Sequence, residues 1–410
     1  MSRREALIID GVRSPRGRGK PGGGLHHIHP QRCMAQVLNR LRDRVGFDPA
    51  DVEDVIAGCA SGTGDHAMDI ARMSVLDAGW PTSTPGVTLN RFCGSGQQAV
   101  TFAAMGILAG HQELVIGGGV EFMSRRSPTH VDGFTANNDH LFARYPQVPQ
   151  GISADLIATL EGFSRSDCDA YAVESQRLAA EAIADGRFAR SVVPILNDDG
   201  TVALDRDEHP RPGTTLEALA GLKASFEQMG TTRPEGREKT YDEYALSAYS
   251  QLSALDHVHH GGNSSGVVDG ASALLLASND YAKALGLKPR ARIVMSATAG
   301  SEPVIMLTAP APAAKLCLKK AGMTAADIDL WEVNEAFASV VLKFLKEIDV
   351  PRDRFNVNGG AIALGHPIGA TGGMLIQTVL DELERRDLST ALIAMCTGGG
   401  MGTATIIERV

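Results

Sequence analysis

No stretch of this chain approaches the ~18 continuous apolar residues that a membrane-spanning helix requires. The start, Met1-Ser2-Arg3-Arg4-Glu5, runs directly into the strand-like Ala6-Leu7-Ile8-Ile9, without the apolar region of a signal peptide. Membrane insertion and secretion are therefore not expected. The six cysteines, at 33, 59, 93, 168, 317 and 396, include no Cys-x-x-Cys pair, which reads as reduced thiols in a cytoplasmic setting. Basic residues are not in excess either. There are 39 Lys and Arg against 48 Asp and Glu, a net charge of −9, which disfavours nucleic acid as a partner and obliges an anionic ligand to find local cations. What remains is an ordinary globular composition: 410 residues, 43% hydrophobic and 21% charged. At roughly 150 residues per domain this suggests two or three domains, with core enough to fold unaided.

Glycine is plentiful, with 45 residues, and it clusters at 117–119, 261–262, 359–360 and 398–400. Such clusters at strand ends mark turns where the backbone approaches something closely.

The chain also contains an internal duplication. Gly46-Phe-Asp-Pro-Ala-Asp-Val-Glu-Asp-Val-Ile56 is matched without a gap, 276 residues later, by Gly322-Met-Thr-Ala-Ala-Asp-Ile-Asp-Leu-Trp-Glu332. Each copy follows an apolar-periodic helix (31–45 and 311–321) stopped by glycine, and Asp48 and Thr324 are placed to cap a turn into a strand. Downstream, Val87–Asn90 pairs with Asn356–Asn358 as a short strand entering a Gly-rich turn. Helices over 95–109 and 368–386 come next, then apolar strands ending in Gly117–Gly119 and Gly398–Gly400. Alternating strands and helices imply α/β architecture with largely parallel, doubly covered sheets, here as two similar halves. Residues 122–266 are richer in charge and turns and read as a loop-rich subdomain over the first half, with 227–256 an inserted excursion.

Ligands in open α/β sheets sit beyond the carboxyl ends of strands, where helix N-termini carry positive dipoles. Cys93 lies there, just before the helix starting near Ser95, a position expected to lower a thiol pKa. Asn334 ends the strand 330–333 and opens a helix, where an amide either orients a water and serves an oxyanion or simply caps the helix. His366 stands in the glycine-rich Gly359-Gly-Ala-Ile-Ala-Leu-Gly-His366-Pro-Ile-Gly, with Pro367 suited to a first helical position. Cys396 ends a buried strand before the last glycine triplet, and the Gly398 N–H can face the same cavity. Two thiols, an imidazole, an amide and free N–H groups suit acyl transfer through a thioester. A dithiol redox reading would want Cys-x-x-Cys. His26–His29 and His257–His260 lack a convergent carboxylate or thiol set, so no metal site is expected.

The segments Asn90-Arg-Phe-Cys93-Gly-Ser-Gly, Gly117-Gly-Gly-Val-Glu-Phe-Met-Ser124, Asn334-Glu-Ala-Phe-Ala338, the His366 run and Cys396-Thr-Gly-Gly-Gly-Met-Gly402 resemble, in order and spacing, the signatures of the thiolase family. The resemblance spans essentially the whole chain. It implies a five-layer α-β-α-β-α fold from two βαβαβαββ domains plus a loop domain, here 1–121 with 267–289, 290–410, and 122–266. It implies Cys93 as the acyl-accepting nucleophile, His366 as its activator and Cys396 as the acid/base at the acetyl α-carbon. One oxyanion hole would comprise His366 and a water held by Asn334, the other the N–H groups of Cys93 and Gly398. Coenzyme A enters as a substrate, with no permanently bound cofactor, and acyl-CoA is the partner. Lys223 and Ser265 match positions near the nucleotide and pantetheine, while Gln150, Met306 and Phe337 would line the substrate site. A homodimer or homotetramer is implied.

Two departures bear on specificity. Pro149-Gln150-Gly151 stands where short-chain biosynthetic thiolases have His-Met-Gly, and Met306-Leu-Thr-Ala-Pro310 stands for Met-Gly-x-Gly-Pro. They favour degradative cleavage of 3-ketoacyl-CoA to acetyl-CoA or propionyl-CoA and a shortened acyl-CoA. The alternatives are a biosynthetic acetoacetyl-CoA thiolase, a condensing enzyme of ketoacyl-synthase or HMG-CoA-synthase type, and a non-catalytic acyl-CoA carrier. The second cysteine argues against the synthases, and the intact catalytic set argues against the carrier.

Overall fold

The computed structural model describes residues 4–125 and 138–410, and in it the duplication reappears as topology. One half-sheet runs Val87–Leu89, Asp54–Gly58, Leu114–Phe122, Val268–Ser278, Ala6–Arg13; the other runs Leu330–Val333, Thr390–Thr397, Met401–Arg409, Ala291–Gly300. Each has a parallel pair (Asp54 opposite Val115, Leu330 opposite Ala391) followed by antiparallel neighbours. The second counterpart of Val87–Leu89 shrinks to a single parallel bridge between Trp331 and Phe355. The halves join through two residue pairs, Leu7 with Arg292 and Ile8 with Ala291.

Alternation along the strands divides the core into layers. Ile116 and Leu275 face outward under Val37, Leu38 and Leu41 of helix Pro30–Val45. Val115, Leu274, Leu330 and Ile393 face inward onto Val100, Ala103 and Ile107 of helix Ser95–Leu108 and Leu375, Ile376 and Val379 of helix Thr371–Arg386. Trp331, Leu392 and Ile406 face Ala313 and Cys317 of helix Pro310–Ala321 and Val341 and Phe344 of helix Ala338–Glu347. The order is thus α-β-α-β-α, as expected.

Local chemistry explains the repeated boundaries. Both outer helices stop at a left-handed glycine, Gly46 (φ 80°) and Gly322 (φ 70°), where a Cβ would be strained. Asp48 caps by accepting the Ala50 N–H (2.9 Å), whereas in the second copy the Asp327 carboxylate accepts the Thr324 N–H (2.7 Å) and hydroxyl (2.8 Å).

Two expectations change. The strand at 114 continues through its glycine triplet to Phe122, because these glycines serve packing and not a turn. A Cβ on Gly117 would lie 2.7 Å from the Val100 Cα, so helix and strand approach with nothing between them. Nor does the middle segment rest on the first half alone. Arg13 pairs bidentately with Asp207 (2.8 Å to each oxygen), while Ala158, Tyr171 and Ala172 pack with Val341 and Phe344 of the second half. Residues 126–137 of that segment lie outside the described residues. Among the described residues no helix is long and apolar enough to cross a membrane.

Candidate active site

The site is built where the two central helices begin. Helix Ser95–Leu108 starts after a tight turn in which Phe92 adopts φ 47°, an uncommon conformation for a residue with a side chain. Three hydrogen bonds hold it: Phe92 N–H to Asn90 Oδ1 (2.8 Å), Arg91 N–H to Ser95 Oγ (2.8 Å), and Ser95 Oγ to the Phe92 carbonyl (2.6 Å). A turn so fixed over-determines the next residue, Cys93.

The buried Cys93 thiol is hydrogen-bonded by the Gln150 side chain and meets the N–H groups of Gly398 and of Cys93 itself. Here the expected pKa lowering fails. Burial pushes the thiol up to about 11, outweighing the Gln150, Gly398 and Cys93 donors, and the Glu121 charge adds to the rise. Desolvation of a thiolate in an apolar layer exceeds what helix-terminal N–H groups return. Cys93 remains the least shifted of the six: Cys33, Cys59, Cys168 and Cys317 each rise to about 12 through burial first. Cys396 is raised further above its ordinary value by burial and by the neighbouring Cys93.

Cys396 is the penultimate residue of strand Thr390–Thr397, opposite Gly402. Gly399 and Gly400 both adopt φ 75°, and this turn carries the Gly398 N–H to the Cys93 sulfur. A Cβ on Gly94 would lie 2.8 Å from Thr397 Cγ2, so the two cysteine-bearing turns are in direct contact.

His366 precedes the other central helix, which begins at Thr371 and not at 368, because Pro367–Ala370 forms a turn with Ala370 N–H bonded to the Pro367 carbonyl (2.8 Å). The imidazole Nδ1 lies 2.6 Å from Thr371 Oγ1, whose hydroxyl donates to the Pro367 carbonyl (2.9 Å). Thr371 must then accept from Nδ1–H, leaving Nε2 as the basic nitrogen. The two helices are packed so closely that a Cβ on Gly96 would lie 2.6 Å from the Gly369 carbonyl oxygen.

Asn334 neither opens nor caps a helix, since helix Ala338–Glu347 begins four residues later with Phe337 at its N-cap position. The chain bends between them because the buried Glu335 carboxylate accepts from Tyr171 (2.8 Å), Ser175 (2.6 Å), Asn356 (3.1 Å) and the Ile362 N–H (3.1 Å). Asn334 N–H bonds the Ala394 carbonyl (3.0 Å), two residues before Cys396. Its carboxamide is fully buried, and neither the oxygen nor the nitrogen has a hydrogen-bond partner among the described residues. Buried amides are normally satisfied, so this one is free for something else.

The loop 263–266 is stitched onto the same region: Ser265 N–H bonds the Ala336 carbonyl (2.9 Å), Gly266 N–H that of Ala361 (3.1 Å), and the Gly266 carbonyl accepts the His366 N–H (2.9 Å). Ser265 is thus beside the site. Met306 (φ 59°) and Phe337 are buried in one apolar cluster with Cys396 and Ile152. Lys223 is exposed, three residues before Phe226, whose ring packs edge-on to Phe337 (5.9 Å).

Two contributors escaped the sequence reading. Thr371 fixes the imidazole. Glu121, fully buried, accepts from the N–H groups of Ala60 (2.8 Å), Ser61 (3.1 Å) and Gly369 (3.0 Å) and from the Ser61 hydroxyl, tying the halves together near Cys93. Its signal was a lone carboxylate in an apolar strand. The second histidine group is structural: His257 and His259 bond Asp155 (2.8 and 2.7 Å), and His260 bonds Asp169 (2.7 Å). Among the described residues no group of three or more His, Cys, Asp or Glu is placed to hold a metal ion.

Comparison with known proteins gives the family. Residues 6–236 match the model of the thiolase N-terminal domain, and residues 287–409 that of the thiolase C-terminal domain. The chain is 41% identical to a 3-oxoadipyl-CoA/3-oxo-5,6-dehydrosuberyl-CoA thiolase of Escherichia coli (strain K12), covering 99% of this chain and 100% of that one. It is 40% identical to a steroid 3-ketoacyl-CoA thiolase of Mycobacterium tuberculosis, over 99% and 94% respectively. The crystal structure of the Bacillus anthracis acetyl-CoA acetyltransferase superposes with a TM-score of 0.83 at 35% identity, covering 99% of both chains. With both of its domain models matched and full-length relatives at this identity, the chain belongs to the thiolase family.

Proposed function

We propose that this thiolase cleaves 3-ketoacyl-CoA with coenzyme A, releasing acetyl-CoA or propionyl-CoA and a shortened acyl-CoA through a thioester on Cys93. The observation that carries the reading is the Cys93 sulfur held by the Gly398 and Cys93 N–H groups with Cys396 beside it.

The steps follow from the proton inventory. The Cys93 thiol is protonated at neutral pH, so it needs a base, and the basic Nε2 of His366 fills that role. The thiolate attacks the 3-keto carbon, and the oxyanion falls to the N–H pair. Removing one such donor typically costs about 3 kcal/mol. The C2–C3 bond then breaks towards the acetyl-CoA enolate, stabilised by His366 and by a water on the otherwise unpartnered Asn334 carboxamide. Cys396, whose raised pKa keeps its proton, delivers it to the enolate carbon. Coenzyme A completes the cycle by taking the acyl group from Cys93, and condensation is the reverse.

Coenzyme A is a substrate here, and the scheme calls for no resident cofactor. Lys223 and Ser265 are assigned to its nucleotide and pantetheine, and the six buried free thiols suit a reducing, cytoplasmic compartment. A homo-oligomer, dimer or tetramer, accounts for Phe102, Met105 and Leu108, which are 44–49% exposed on one face of a central helix next to the edge strand Val87–Leu89. The test is loss of the 3-keto absorbance when 3-ketoacyl-CoA and coenzyme A are added, with a mass increment on Cys93. Cys93→Ser should abolish both, and retention of acyl transfer in that variant would overturn the assignment.

A further inference from the structure

In the reaction proposed above, Cys93 hands its proton to His366, a residue of the other half. Among the described residues two residue pairs join the half-sheets, so the sheet alone does little to hold these two groups at one separation. A single oxygen atom does more. Oε2 of Glu121 accepts the Ala60 N–H (2.8 Å) from the first half and the Gly369 N–H (3.0 Å) from the second. Each of these leads directly to one of the reacting groups. Asn90 Nδ2 donates to the Ala60 carbonyl (3.2 Å) while Asn90 Oδ1 accepts the Phe92 N–H (2.8 Å), which joins Ala60 to the turn before Cys93. Gly369 lies in the turn 367–370 that follows His366, and Thr371, at the end of that turn, lies 2.6 Å from the imidazole Nδ1.

The carboxylate is not free to turn. Glu121 is fully buried, and its Oε1 accepts the Ser61 N–H (3.1 Å) and the Ser61 hydroxyl. With two donors on each oxygen every lone pair is occupied, and any rotation gives up bonds that no water replaces. Main-chain contact sets the opposite limit. A Cβ on Gly119 would lie 2.0 Å from the Gly369 carbonyl oxygen, and one on Gly369 would lie 2.6 Å from that of Gly58. The two loops therefore cannot come closer, and the shared oxygen stops them from moving apart.

Building on the thiolase reading above, we propose that Glu121 is a positioning residue: by sharing Oε2 between Ala60 and Gly369 it sets the separation of the Cys93 thiol and the His366 imidazole, and with it the rate at which His366 takes the thiol proton.

The test measures the single-turnover rate of Cys93 acetylation by acetyl-CoA, read by intact mass, in two variants that separate reach from charge. Glu121→Gln keeps the length of the side chain and an oxygen for Ala60 and Gly369, and the Ser61 hydroxyl can turn to accept its –NH2. Glu121→Asp keeps the charge but withdraws that oxygen by about 1.5 Å. Misplacement on this scale should slow acetylation by about tenfold or more in Glu121→Asp, while Glu121→Gln stays within about threefold of wild type. In a His366→Ala background the Glu121→Asp effect should shrink to within about threefold, because there is no longer a base to misplace. The reverse order of the two variants, both within threefold of wild type, or a tenfold loss that persists without His366 would overturn the proposal. Glu121→Gln decides even if Glu121→Asp does not fold, since a loss beyond tenfold there is itself a refutation. Wild-type acetylation with no Asp-versus-Gln difference removes the role of Glu121 alone, whereas no acetylation of the wild type removes the thiolase chemistry and this role with it.

Discussion

The carboxamide of Asn334 offers a sharp separation of chemistry from stability. Replacing Asn334 with Ala removes no protein hydrogen bond made by the side chain, because its oxygen and nitrogen have no partner among the described residues. The folding cost should then be confined to a few lost packing contacts, below about 1.5 kcal/mol. Asn356, close by in the second half, is the natural control. Its carboxamide accepts the Val333 N–H (2.7 Å) and donates to the Val333 carbonyl (2.8 Å), Glu335 (3.1 Å) and Tyr171 (3.3 Å). At about 1 kcal/mol for each bond lost, Asn356→Ala should cost roughly 3–4 kcal/mol. For activity the order reverses. If Asn334 holds the water that meets the enolate oxygen, Asn334→Ala should lower kcat for thiolysis by about 10²–10³-fold while melting close to wild type. The assay pairs steady-state thiolysis with thermal unfolding of both variants. A kcat within tenfold of wild type, or a melting shift as large as that of Asn356→Ala, refutes the reasoning.

Three further outcomes are expected. Cys396→Ala should still be acylated on Cys93 but should lose exchange of the acetyl-CoA α-protons with solvent, read by deuterium incorporation; retained exchange counts against its role. Because the Cys93 pKa is raised to about 11, its thiolate fraction grows with pH throughout the accessible range. Iodoacetamide inactivation should therefore accelerate steadily from pH 7 to pH 9, label Cys93 first, and reach a plateau below pH 8 only if the thiol is already ionised, contrary to the burial argument. Gly369→Ala would put a Cβ 2.6 Å from the Gly58 carbonyl oxygen and 2.7 Å from that of Val120, contacts with main chain that cannot rotate away. A loss of several kcal/mol is expected in denaturant titration, and wild-type stability would show that the central helix can shift.

What the chain discloses before folding is whatever depends on neighbours in sequence. Gly46 and Gly322 end their helices because only the local backbone conformation matters there, and the duplication shows the paired topology for the same reason. The turn before Cys93 and the Cys396–Gly400 turn were legible as motifs. What stayed hidden depends on partners far along the chain. The helix after Asn334 starts late because Glu335 is held by Tyr171 and Ser175, and Gly117–Gly119 lie inside a strand because helix Ser95–Leu108 rests on Gly117 while main chain at Ser272 and at Gly369 closes on Gly118 and Gly119. The thiol is raised and not lowered because its desolvation is set by both halves at once.

That division has a kinetic corollary. Cys93 comes from the first half, and Asn334, His366 and Cys396 come from the second, yet among the described residues the half-sheets share just two residue pairs. Contacts spanning 240 or more residues form late, so a refolding chain should regain its helical signal well before it turns over substrate. The interval between the two would time the docking of one half onto the other.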